Sequence, residues 1–126
     1  MIDALRKILN LRLGRPYFWV GLLILAAAVA LLARPLPWLL NGGFVPAWLL
    51  LHAARFHDFG RSGTWAFAPI IAFLGLLTGL AMLNPPSAIY GGLAITAFVG
   101  LATFTLWVGA KRGDPGPNRF APGYRV

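Results

Sequence analysis

Apolar residues fill this chain in four long blocks, and short segments between them hold nearly all of its charge. The blocks cover residues 17–33, 36–54, 64–83 and 88–109. A helix rises about 1.5 Å per residue, so each block approaches the roughly 30 Å hydrocarbon core of a bilayer. The first is the shortest, about 25 Å as a helix, and Tyr17, Phe18 and Trp19 anchor its start at an interface. Ahead of it, residues 1–14 show a different pattern. Ile2, Leu5, Ile8, Leu9 and Leu13 share one side of a helical wheel, and Asp3, Arg6, Lys7 and Asn10 share the other. Leu11 and Arg12 break the pattern. The segment reads as an amphipathic helix lying on the membrane surface, against the alternative of a frayed terminus.

The breaks carry turn chemistry. Gly14-Arg15-Pro16 is a joint, with the proline placed to begin a helix. Arg34-Pro35-Leu36-Pro37-Trp38 and Asn84-Pro85-Pro86-Ser87 are tight turns. Asn41, Gly42, Gly43 and Pro46 interrupt the first half of the second block, which predicts a late helix start or a kink there. Residues 55–63, RFHDFGRSG, read as a polar turn, with Ser62 or Thr64 capping the next helix. Residues 110–126 form a polar tail. The first block has a basic front and small residues at Ala26, Ala28 and Ala30, as a signal peptide would. Its lead-in is long, however, and the chain returns straight to apolar sequence, so a retained signal-anchor is expected. The pattern predicts an all-α integral membrane protein: four transmembrane helices and an N-terminal amphipathic interfacial helix in one membrane domain.

Composition agrees: 59% of residues are hydrophobic and 11% charged, against about 25% charged in soluble domains. The net charge of +8 does not point to nucleic acid, because the basic residues sit at block ends rather than along one face. It points to orientation. Lys and Arg number four before the first block, two between the second and third and four after the fourth, against the single Arg34 on the other side. Both termini and the 55–63 loop are therefore expected in the cytoplasm. The absence of cysteine excludes disulfides and thiolate chemistry.

Three motifs share that side: LGRPYFW before the first block, ARFHDFGRSGTW between the second and third, and GDPGPNRFAP after the fourth. Together they resemble the domain-of-unknown-function family 805 of small bacterial inner-membrane proteins. That family has a Gly-Arg…Tyr/Phe-Trp start, an Arg-Leu-His-Asp-x-Gly-Arg-Ser-Gly-Trp centre and a Gly-Thr-Pro-Gly-x-Asn-Arg tail. Here Phe56 replaces the leucine, Ala54 stands where an arginine is common, Asp114 takes the threonine position, and Ala121 replaces a glycine. The resemblance implies a bacterial inner (plasma) membrane location and a multi-pass topology, and no activity.

The motif residues form the candidate site: Arg15, Arg55, His57, Asp58, Arg61, Asp114, Asn118 and Arg119. His57 and Asp58 resemble a proton-transfer or metal pair, but neighbouring helical residues point about 100° apart and too few further ligands exist. A structural role is expected, with Asp58 paired to nearby arginines and His57 bonded to backbone. The tail can fold back on the loop through ion pairs of Arg119 with Asp58, or of Arg55 or Arg61 with Asp114. Arg15, Arg55, Arg61, Lys111 and Arg119 together can meet anionic lipid headgroups or an acidic partner. No catalytic residue, cofactor or metal is assigned. The blocks contain no acidic residue, which argues against ion-coupled transport. The expected function is that of a non-enzymatic membrane protein acting through protein or lipid contacts, with a small channel or transporter as the alternative. Gly75-x-x-x-Gly79 and the Gly92, Thr96, Gly100 series are close-packing patterns, within the chain or between copies in a homo-oligomer. On that basis Gly79→Leu is expected to disturb packing of the third span.

Overall fold

The computed structural model describes residues 11–37, 43–84 and 86–120. Among them every regular element is helical. The order is α1 (Arg15–Leu32), α2 (Val45–Asp58), a 3₁₀ turn (Gly63–Ala66), α3 (Phe67–Leu83) and α4 (Ser87–Ala110). Three stretches are long and apolar enough to cross a membrane: α1, the 3₁₀ turn with α3 (Gly63–Leu83), and α4. Large side chains such as Leu23, Leu31, Ile71, Met82 and Ile95 point outward. Lipid would solvate them at no cost.

The second block differs from its sequence reading at both ends. Its helix begins at Val45 and carries Pro46 in the first turn, where the missing N–H costs nothing. The proline is therefore a start signal rather than an interruption. The helix then runs past residue 54, and Arg55–Asp58 form its last turn rather than a loop. Its 14 residues span about 21 Å, less than a hydrocarbon core, and residues 38–42, which bear on a longer span, lie outside the described ones. The closure is a Schellman motif. Gly60 takes φ +70°, its N–H donates to His57 O (3.2 Å), and the Arg61 N–H donates to Phe56 O (3.0 Å). Ser62 then caps the 3₁₀ turn by accepting from the Thr64 N–H.

The expected surface helix over 1–14 falls mostly outside the described residues. Residues 11–14, which are described, are not helical. The Leu13 N–H instead donates to Ala54 O of α2 (3.0 Å), which pulls this segment into the bundle.

The helices pack around α2. It contacts α1, α4 and the 3₁₀ turn, and α3 pairs with α4. The apolar core lies at the end where α2 and α4 finish, built on Phe18, Ala54, Phe56, Phe59, Ala66 and Val108. Two glycines within the α-helices admit close neighbours. A side chain at Gly109 would strike the Trp19 ring, and one at Gly21 would meet Leu51 Cδ2 at 2.7 Å. The repeated glycines behave otherwise. A Cβ at Gly75, Gly79, Gly92 or Gly100 would meet nothing within 4 Å. The Thr96 and Thr103 hydroxyls bond their own helix, to Gly92 O and Val99 O. These small-residue faces therefore do not close the single chain, and the expected disturbance of its packing is not supported. Gly79→Leu is expected to leave the stability of the monomer within about 0.5 kcal/mol. Thermal unfolding with sizing in detergent checks this: a lost oligomer at unchanged monomer stability would place a second chain on that face.

Candidate functional site

Two helices, α2 and α4, end together. The last four carbonyls of a helix lack intrahelical donors and carry its negative dipole end, so such a junction calls for cationic donors. Two buried arginines supply them. Arg55 is the i−3 neighbour of Asp58 on α2, and its Nη1 donates to the Asp58 carboxylate. It also donates through Nε to Val108 O (3.3 Å), through Nη1 to Leu13 O (3.1 Å) and through Nη2 to Lys111 O. One side chain thus links α2, the end of α4 and the segment before α1. Arg12 enters from that segment. It donates to Asp114 O (2.9 Å), Gly116 O (2.8 Å) and Asp58 O (3.4 Å), and lies 3.5 Å from Asp58 Oδ1. Arg55 and Asp58 are 0% exposed and Arg12 is 2%. Among the described residues, Arg12 Nε is the buried side-chain polar atom left without an acceptor.

The tail closes over this cluster. The Asp114 N–H donates to Asp58 O (2.7 Å). Asn118 Nδ2 donates to His57 O (2.8 Å) and to Asp114 Oδ2 (3.1 Å), and Asn118 Oδ1 accepts from the Phe120 N–H (3.0 Å). Phe120 stacks on the His57 ring at 4.3 Å between centroids. His57 Nδ1–H donates to Leu11 O (3.3 Å). Burial pulls this imidazole below its ordinary range. The bond to Leu11 opposes that, and the nearby Arg119 charge adds to it. The ring is therefore neutral at neutral pH and can stack and bond where it stands.

Of the eight residues singled out from sequence, Arg55, His57, Asp58, Asp114 and Asn118 converge in one polar cap. Arg15, Arg61 and Arg119 are exposed around it. The pairs expected across the cap are not those observed. Asp58 is held by Arg55 and Arg12, and the Asp114 carboxylate is bonded by Asn118. Arg119 lies over the Phe120 ring instead. Arg55, counted among the lipid-facing cations, is wholly committed inside the cap. Sequence reasoning missed Arg12, whose one signal was that it broke the amphipathic wheel. It also missed the structural role of His52. That ring stacks on Trp48 (3.7 Å), its Nδ1–H donates to Trp48 O (2.9 Å), and its Nε2 accepts from the Thr105 hydroxyl (3.2 Å), which ties α2 to α4. Among the described residues no three His, Cys, Asp or Glu side chains gather as a metal site.

Most of the residues that build this cap fall within a known family. A match to the family described as protein of unknown function (DUF805) extends over residues 28–122. The chain belongs to the DUF805 family. The match takes in the central and tail motifs of the cap, while Arg12 and the LGRPYFW segment precede it. No curated protein and no solved structure matches the chain. For this DUF805 protein the geometry therefore has to carry the functional reading.

Proposed function

We propose that this is a non-enzymatic, multi-pass protein of the bacterial inner membrane that acts through protein or lipid contacts made by its polar cap. The observation that carries the reading is the commitment of the buried charges. Asp58 is ion-paired, and the two arginines are directed at it and at helix-end carbonyls, while Arg15, Arg61 and Arg119 face outward. A closed inner cluster suits rigidity, and an outward basic ring suits recognition of anionic groups. The ten-to-one bias of Lys and Arg supports a cytoplasmic cap. A fourth crossing that includes α2 would bring both termini to that side.

Two measurements test this. Reporter tags at Ser62 and Val126 are expected to be cytoplasmic and one at Ser87 periplasmic; a periplasmic Val126 overturns the four-span topology. A photo-crosslinking residue at Arg15, Arg61 or Arg119 in intact membranes is expected to give discrete protein or lipid adducts. No adduct at any of the three positions, or ion flux through the purified protein in liposomes, sinks the contact reading. Flux would favour a small channel or transporter.

A further inference from the structure

Beside the cap lies a cavity of about 590 Å³ that the cap does not use. One wall is Phe56, Phe59, Phe104 and Trp107, and the other is Trp65 and Ala72 along the 3₁₀ turn and α3. From Trp65 to Ala72 the wall runs about 10 Å along the helix axis. Two cations, Arg61 and Lys111, also line it, and both belong to the polar end of the bundle. The Lys111 ammonium is held against the Phe59 and Trp107 rings, 4.9 and 5.0 Å from their centroids. Among the described residues neither cation forms an ion pair; the ion pairs there are those of Asp58 with Arg12 and Arg55.

We propose that this groove binds one anionic phospholipid, with its phosphate between Arg61 and Lys111 and the upper part of an acyl chain against the aromatic wall. The occupant follows from charge complementarity combined with the lining. A soluble anion would use the two cations and leave both apolar walls unfilled. An apolar helix would fill the walls and leave two cations at its edge without a counter-charge. An anionic amphiphile satisfies both, and the volume falls in the range of about 300–1,000 Å³ typical of ligand sites. Trp65 and Trp107 are half exposed, and the indoles sit where such rings favour the boundary between headgroup and hydrocarbon.

The proposal deepens the contact reading and rests on it. The test uses the whole chain in phosphatidylcholine bilayers that contain a small, equal fraction of either phosphatidylglycerol or phosphatidylcholine with brominated acyl chains. Bromine quenches indole fluorescence at short range. The expected result is stronger quenching by the brominated phosphatidylglycerol. Arg61→Gln and Lys111→Gln should each weaken that preference about fivefold. Arg112→Gln removes one charge from an exposed residue that does not line the groove and should leave the preference intact. Ala72→Phe fills the groove without touching charge and should reduce quenching by the anionic lipid. Equal quenching by the two lipids overturns the groove, and so does a preference that follows total charge or ignores Ala72→Phe. If the groove fails while crosslinks at Arg15 or Arg119 persist, the contact reading stands without it. Thermal unfolding of each variant separates lost binding from lost folding.

Discussion

Asp58→Ala is expected to cost about 3–5 kcal/mol of stability, the range found when one partner of a buried ion pair is removed. The residue pairs with two arginines that have almost no access to water. Its removal takes from both buried guanidiniums the carboxylate that balances their charge. The loss should spread beyond the local turn, because Arg12 also holds Asp114 O and Gly116 O, and Arg55 also holds the end of α4. The predicted readout in detergent has two parts. The thermal midpoint falls, and amide exchange accelerates at residues 114–120 as well as at 55–61. Asp58→Asn keeps the shape and loses the charge, so it should fall between the two. If exchange in the tail is already fast in the unaltered protein, or does not respond to Asp58→Ala, the cap is not a single unit.

Gly63→Val is the second large effect. The 3₁₀ turn lies so close to α2 that a Cβ at Gly63 would stand 2.8 Å from Ala53 Cβ, 3.2 Å from Ala53 Cα and 2.9 Å from His57 Nε2. The first two atoms are helix backbone or fixed to it, so they cannot swing away. Overpacking of this kind costs about 1–3 kcal/mol. The strain has one outlet, which is displacement of the turn and of α3 behind it. The variant should therefore lose thermal stability and shift the emission of Trp65, which lies within the turn. Gly79→Leu, sixteen residues further along and facing open space, serves as its control. Equal tolerance of both changes would mean that α2 and the turn are not in close contact.

What could be read in advance follows from the range over which each signal acts. The helices at 15–32, 67–83 and 87–110 were legible because apolar runs of that length and the turn residues bounding them are local. The backbone bond of His57 and the pairing of Asp58 with arginine were also legible, since a buried carboxylate needs a cation and few were near. The choice of cation was not. Arg12 lies 46 residues from Asp58 in sequence and 104 from Gly116, and a helical wheel of residues 1–14 has no term for either. The last turn of α2 was misread for a related reason. RFHD is polar enough to pass for a loop when its carbonyl and guanidinium partners, on other segments, are invisible. The glycine repeats left their partner open, within the chain or between copies, because spacing shows that a face is small and not whether anything lies against it.

The cap also sets an order on how the protein comes to be. Its three contributing segments are residues 11–14, the end of α2 and residues 108–118. The last of them leaves the ribosome after every apolar helix has been made. Until it arrives, Arg12 lacks the carbonyls of Asp114 and Gly116, and Arg55 lacks those of Val108 and Lys111. Earlier spans can enter the bilayer and touch, but the arginines cannot be withdrawn from water with their partners in place. A chain truncated before residue 111 would thus be helical and inserted yet never latched, with its charges open to quality-control proteases.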